Sequence, residues 1–410
     1  MKERISSKKN TAKYGYFVLV LLCLGITMPN FAQYQLTGFG KEAIAQFLGR
    51  ELSDSQFSMV NMAPLIPGIF LSLVSGLLVD RFGPRKVITT GVVLSAVGVV
   101  LRVSLDSYGT VLASMILMGV CATFLNANGP KVLGTWFEPG KASIMLGILL
   151  AVANVSMAIG TGIVAVFDTV QSAFICAAVV AVIVAVLWIL FMRDNKNAPA
   201  GGEELVEDDE KLSVIQCIKV CAKSKGVWQA AFCMMCICTA TVGATQFLPT
   251  ALLSRGVSQD TASLCGMCIT IGATIGCLVS PTLSTKLKQP KKWMFCGGII
   301  SAIGTSFAWR ITSLPVMIVC LVITGFLTSG FSPIVNSLPL SLKEIGPKYA
   351  GTAGGFIATV QLIGNVVLPT YVICNIVGNN NYNGMFICFG SLMLIFCVLC
   401  IFLPLGGKKD

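Results

Sequence analysis

The sequence predicts an all-α membrane protein with twelve transmembrane helices in two pseudo-symmetric six-helix bundles. Three observations carry that reading. Of the 410 residues, 55% are hydrophobic and only 11% charged, where a soluble domain carries about 25% charged residues; the mean hydropathy is +0.83. Apolar runs of about 20 residues, the length that crosses a hydrocarbon core of about 30 Å, recur along the whole chain. Lys and Arg fall into short clusters between those runs, strongly biased to alternate loops, which is the orientation signal of a polytopic membrane protein.

The expected spans lie at 14–38, 55–79, 87–105, 108–131, 142–167 and 172–192, then at 227–253, 260–283, 292–312, 314–338, 349–373 and 383–405. A basic segment precedes the first run, which is too long for a signal-peptide core, so an uncleaved helix with a cytoplasmic N-terminus is expected. With that orientation the outer loops hold Lys41, Arg50, Arg102, Arg255 and Arg310, five of the 29 basic residues. The inner clusters include Arg81, Arg85 and Lys86, then Lys286, Lys288, Lys291 and Lys292, then Lys408 and Lys409. Both termini are therefore expected in the cytoplasm.

One long polar segment interrupts the pattern. Residues 193–226 carry Glu203, Glu204, Glu207, Asp208, Asp209 and Glu210 and read as a solvated linker. Within it, Leu212, Ile215 and Ile218 recur at helical spacing and predict a short amphipathic helix over 212–223, lying on the inner membrane surface or simply linking. The expected organisation is an N-terminal bundle over 1–192, the linker over 193–226 and a C-terminal bundle over 227–410. An internal repeat supports it: 283–291, centred on Thr285, stands as a decayed copy of the loop around Asp80, and Arg102 and Arg310 both end a third helix.

The net charge of +11 does not point to nucleic acid, because the basic residues are dispersed among the loops. Most of the 17 cysteines lie in apolar runs and read as packing residues rather than a disulfide framework. Cys233, Cys236 and Cys238, with Cys265 and Cys268, are soft groups, but Cys-x-x-Cys inside apolar helices reads as packing, so no metal and no cofactor are expected. No phosphate-binding Gly-Lys-Ser/Thr loop and no catalytic constellation is present in the sequence, so the chain is not expected to be an enzyme. Its expected partners are a small-molecule substrate and the lipid bilayer, and it is expected to function as a monomer in the plasma (cytoplasmic) membrane.

The segment 76–86 contains Gly76, Asp80, Arg81, Gly83, Pro84, Arg85 and Lys86 between two apolar runs. Such a cluster cannot sit in hydrocarbon and belongs at a membrane surface. Its order, Gly-x-Leu-x-Asp-Arg-x-Gly-x-Arg-Lys, resembles the loop between the second and third helices of major facilitator superfamily transporters. Gly83-Pro84-Arg85 is similar to the variant in monocarboxylate transporters and oxalate/formate exchangers. The stretch 126–131, followed by Thr135, Trp136 and Phe137, resembles the cyanate and nitrate permease-like group. The resemblance implies alternating access between two halves. It also implies that Asp80 is the acceptor of a conformational latch, with Arg81 and Arg85 as charge partners, Lys86 as a surface anchor, and Gly76 and Gly83 for close packing and the turn.

The same resemblance places the cavity among the first, fourth, seventh and tenth helices, helped by the second, fifth, eighth and eleventh. Those spans offer Gln33, Tyr34, Gln35, Asn126, Asn128, Asn154, Gln246, Asn336, Gln361 and Asn365 as substrate-binding candidates. An amide facing lipid is costly, so each should face protein or water; singly, each serves equally well as a helix–helix hydrogen bond. No acidic residue falls near mid-membrane in the expected spans, and histidine is absent, so no proton relay is apparent. Arg102 is expected to snorkel to water as an anchor; Lys131 is either an anchor or an attractor of anions. The expected function is secondary active or facilitative transport of a small polar organic solute or small monoanion. The alternatives are efflux of apolar or drug-like compounds, and a membrane sensor that keeps the fold but moves nothing.

Overall fold

The computed structural model describes residues 2–104, 107–194, 214–287, 289–342 and 344–403. In chain order the helices are α1 (Lys2–Phe47), α2 (Asp54–Met62), α3 (Ile66–Phe82), α4 (Pro84–Leu101), α5 (Tyr108–Trp136), α6 (Pro139–Gly162), α7 (Val170–Phe191) and α8 (Val214–Lys223). They continue as α9 (Lys225–Leu253), α10 (Gln259–Leu287), α11 (Pro290–Phe307), α12 (Leu314–Gly330), α13 (Ser332–Asn336), α14 (Gly346–Val367), α15 (Cys374–Val377) and α16 (Tyr382–Phe402). The described residues contain no strand, as the sequence predicts.

Ten helices among the described residues are long and apolar enough to cross a membrane. The second expected span coincides with α2 and α3, separated by a 3-10 turn at Ala63–Leu65, and the ninth with α11; neither is among those ten. Residues 195–213, with the acidic run, lie outside the described residues, as do Lys288, Lys408 and Lys409; α8 falls within the expected 212–223 helix.

Helix α7 shows why these segments belong in lipid. Its inward face alternates small residues with two large rings: Ala173, Ala177, Ala181 and Ala185 are buried, as are Phe174 and Trp188. Its outward positions, Ile175, Val179, Ile183, Val186 and Leu190, are large, apolar and exposed. In water that inversion would be an aggregation-prone surface; in a bilayer it is the solvated face.

The described residues group into two compact units. The first comprises those of Met1–Gln33, Ala63–Gly160 and Thr169–Lys211; the second those of Tyr34–Met62, Thr161–Asp168 and Leu212–Asp410. In the first, Trp188 of α7 packs against Gly25 of α1 and donates its indole N–H to Thr89 Oγ1 of α4 at 3.0 Å.

In the second unit, α10 and α12 meet backbone to backbone. A Cβ on Gly276 would collide with the Phe326 carbonyl oxygen, and one on Gly325 with the Ile269 carbonyl oxygen. Close approach through small residues is how helices associate where lipid removes the hydrophobic drive between them. Gly276→Val should therefore force α10 and α12 apart and destabilise the fold by about 1–3 kcal/mol or more, read as a lower unfolding temperature in detergent. An unchanged unfolding temperature would show that this crossing relaxes without cost.

Candidate functional site

Helix α9 carries the clearest polar face of the second unit. Thr239, Gln246 and Thr250 are spaced by seven and four residues, so they lie on one side of the helix. All three are buried. Thr239 Oγ1 donates to Asn365 Oδ1 on α14 at 3.1 Å, and Gln361 lies one turn before Asn365 on the same helix, half-buried. Gln246 is 2% exposed. Neither its Nε2 nor its Oε1 has a hydrogen-bond partner within the described protein. A buried primary amide brings two donors and an acceptor, and leaving them unmet costs about 1–3 kcal/mol.

Four residues further along, Thr250 meets a break in α1. Gly40 has φ 76° and ψ 176°, a region that glycine enters without Cβ strain, and the kink releases backbone groups from the helical ladder. Both found partners are side chains of the second unit: the Lys41 N–H donates to Thr250 Oγ1 at 3.0 Å, and the Gly38 carbonyl accepts from Gln259 Nε2 at 2.7 Å. Gly38 itself is needed because the Thr161 carbonyl oxygen occupies the place of a Cβ.

Beyond the kink the Lys41 ammonium is buried against Asp54, the first residue of α2, at 2.7 Å. Sequence reading placed Lys41 in a loop, whereas the helix continues to Phe47 and carries Lys41 inside the protein. The turn 378–381 closes over this pair. The Asn380 N–H donates to Asp54 Oδ2 at 2.5 Å, Asn380 Oδ1 accepts from Lys41 Nζ, and Asn379 Oδ1 accepts the Asp54 N–H at 3.0 Å. The Tyr382 hydroxyl reaches Asn380 Oδ1 at 3.4 Å, and the Lys41 ammonium lies 5.9 Å from the Tyr382 ring centroid. Nearby, Thr37 donates to Asn61 at 2.9 Å and the Ser58 and Thr370 hydroxyls pair at 2.9 Å.

The charged loop lies in the first unit. Gly76 and Asp80 belong to α3, but Asp80's side chain and the surroundings of Gly76 lie outside the described residues. Gly83, at φ 83°, ends α3 by donating its N–H to the Val79 carbonyl and opens α4. The acid found at the start of α4 is Asp194, which accepts the Arg85 backbone N–H at 3.2 Å. A carboxylate is stabilised at that end of a helix. Arg81, Arg85 and Lys86 are exposed, with the Arg81 guanidinium 5.3 Å from the Phe82 ring centroid. The side chain of Thr285, the expected counterpart in the second half, is also outside the described residues.

The remaining candidates separate by environment. Gln35 is fully buried and Tyr34 half-buried in the part of α1 that belongs to the second unit; Gln33 is buried in the first. Asn128 is buried and donates to the Phe124 carbonyl at 3.0 Å and to Ser75 Oγ at 3.3 Å, a helix-packing role. Asn126 and Asn336 are exposed, Asn154 is half-buried on α6, and Lys131 is exposed. Arg102 does not snorkel: it is fully buried, donates to the Ala32 carbonyl at 2.7 Å and stacks 3.8 Å from the Phe174 ring centroid. Burying its planar guanidinium against a ring face replaces the water that a snorkelling side chain would seek.

The family model of the Major Facilitator Superfamily matches residues 14–369. The chain belongs to the major facilitator superfamily. It is thus an integral membrane protein of a transporter family for small solutes, and not an enzyme. The glycerol-3-phosphate transporter of Bacillus subtilis (strain 168) is 24% identical, covering 97% of this chain and 94% of its own. The riboflavin transporter RibZ of Clostridioides difficile (strain 630) is 24% identical, covering 85% of each. A bacterial homologue of the human lysosomal transporter Spinster, solved inward-facing and occupied, superposes with a TM-score of 0.77 at 15% identity, over 97% of this chain and 98% of that one, and so shares the fold.

Proposed function

We propose that this superfamily member is a secondary active or facilitative transporter of a small polar organic solute or small monoanion. Twelve spans, halves at 1–192 and 227–410, cytoplasmic termini and a plasma-membrane location complete the reading. The two halves expose a central cavity alternately to either side. The observation that carries it is Gln246. An amide buried on the helix face that also meets α1 and α14, with no partner for either polar atom, is a group kept for something that arrives. Gln361 and Asn365 on α14, and Gln35 and Tyr34 on α1, supply further neutral polar groups in the same unit. Glycerol-3-phosphate and riboflavin, named for two relatives, share neither charge nor size, so the relatives support solute transport without selecting the solute.

Thermal unfolding of the purified protein against a panel of solutes tests the reading. The panel holds monocarboxylates, dicarboxylates, nitrate, cyanate, amino acids, sugars, nucleosides and bulky cationic drugs. A ligand at 100 times its dissociation constant stabilises the folded state by about 2.7 kcal/mol. A rise in unfolding temperature with one small polar class, followed by its uptake into liposomes, is expected. A rise with bulky apolar cations alone would replace this reading by efflux.

A further inference from the structure

On either side of the turn at Gly83, the end of α3 and the start of α4 border a cavity of about 320 Å³. Leu78 and Phe82 come from α3, Lys86, Val87 and Thr90 from α4, and Phe124 from α5. All belong to the first unit. Polar and apolar groups are divided by depth. Val87 and Phe124 are buried and make an apolar floor, and Gly91 is what lets it form, because a Cβ there would stand 2.8 Å from the Phe124 ring. Phe82, Lys86 and Thr90 are exposed and make the mouth. The Arg81 guanidinium lies 5.3 Å from the Phe82 ring centroid, so two cations stand at that mouth with Arg85 beside them. Among the described residues none of the three forms an ion pair. The acid described next to them, Asp194, is engaged by the Arg85 backbone N–H.

We propose that this cavity binds an anionic phospholipid, with one acyl chain held among α3, α4 and α5 and the phosphate at Lys86 and Arg81. The charged residues cannot enter hydrocarbon, so the mouth lies at headgroup level and the floor below it. A soluble anion would leave the apolar floor empty, and a bare alkyl chain would leave the cations uncompensated. An amphiphile with a negative head satisfies both parts. Assigning the site to the inner leaflet rests on the orientation proposed above; the site itself does not, nor does it depend on which solute is carried.

Native mass spectrometry of the purified full chain in detergent tests the site. Dioleoyl phosphatidylglycerol and dioleoyl phosphatidylcholine, which share their chains and differ in net charge, are supplied at equal concentration, and the unfolding temperature of each variant confirms that it is folded. The unaltered protein should retain phosphatidylglycerol in preference. Arg81→Gln with Lys86→Gln should weaken that retention about 30-fold, and Lys86→Gln alone about fivefold. Thr90→Trp fills the mouth while keeping every cation and should weaken it about tenfold or more. Lys223→Gln with Lys292→Gln removes two exposed cations of the second unit and should leave it unchanged. Equal retention of the two lipids by the unaltered protein would overturn the proposal. So would undiminished retention by folded Lys86→Gln or Thr90→Trp, the latter showing a headgroup adsorbed without a chain in the cavity. An equal loss in Lys223→Gln with Lys292→Gln would overturn it too, as diffuse surface charge.

Discussion

Gln246→Leu is expected to abolish solute-dependent stabilisation while making the unliganded protein more stable. The two effects have one cause. Gln246 is buried with both polar atoms unmet by the described protein, and replacing an orphaned polar group by an apolar one of similar shape removes its desolvation penalty, about 1–3 kcal/mol. The unfolding temperature without solute should therefore rise. The same substitution removes the donors and acceptor that the solute would engage, and the loss of such hydrogen bonds corresponds to about a 10- to 100-fold weaker dissociation constant. A ligand found in the solute panel should then give no shift at the concentration that shifts the unaltered protein. Thr239→Val serves as the comparison, since its hydroxyl already has a partner in Asn365: it should lower stability and leave affinity within a few fold. If Gln246→Leu instead lowers stability and leaves binding intact, the amide is a packing group and the cavity lies elsewhere.

The fold was legible in the sequence because bilayer physics is written in composition. A long apolar run has one low-energy option in lipid, a helix with every backbone group satisfied, and α7 shows it position by position. The charged loop was legible for a related reason: Asp80, Arg81, Arg85 and Lys86 cannot lie in hydrocarbon, whatever they do. The buried pair was not legible. Lys41 and Asp54 are thirteen residues apart with a turn between them, and reading α1 as ending near residue 38 moved Lys41 into a loop. The deciding fact was the kink at Gly40, whose positive φ lets the helix resume and carry Lys41 inward. No periodicity announces it. The run Gly378-Asn379-Asn380-Asn381 was the one available signal, since Gly and Asn favour positive φ, but a turn signal does not say what the turn grips. Arg102 was misplaced for a similar reason: hydropathy counts its charge and cannot see the ring of Phe174 or the carbonyl of Ala32 that receive it. Among the amides, Asn128 and Gln246 look alike in sequence. The first has partners on its own helix and α3, and the second has none among the described residues.

Asp80→Asn is expected to slow transport about tenfold or more while leaving the fold as stable as before or slightly more so. Asp80 occupies the last turn of α3, which ends at Phe82. The C-terminal end of a helix carries partial negative charge, so a carboxylate there is disfavoured by about 0.3–1 kcal/mol. Local stability therefore gives no reason for an acid at this position, and the neutral amide should suit α3 better. The nearest helix start that welcomes an anion, at α4, already has one in Asp194, which accepts the Arg85 N–H. The expected effect follows if Asp80 makes a contact in one conformational state and not in the other. Losing such a contact shifts the balance between the states by an ordinary coupling energy of about 1–3 kcal/mol, or about 5- to 150-fold in population. Asp194→Asn is the control: it weakens the cap on α4 and should lower stability, with little change in transport rate. Measured initial rates in liposomes, paired with unfolding temperatures, separate the two. An Asp80→Asn protein that transports at the unaltered rate would leave the loop as a topology signal alone.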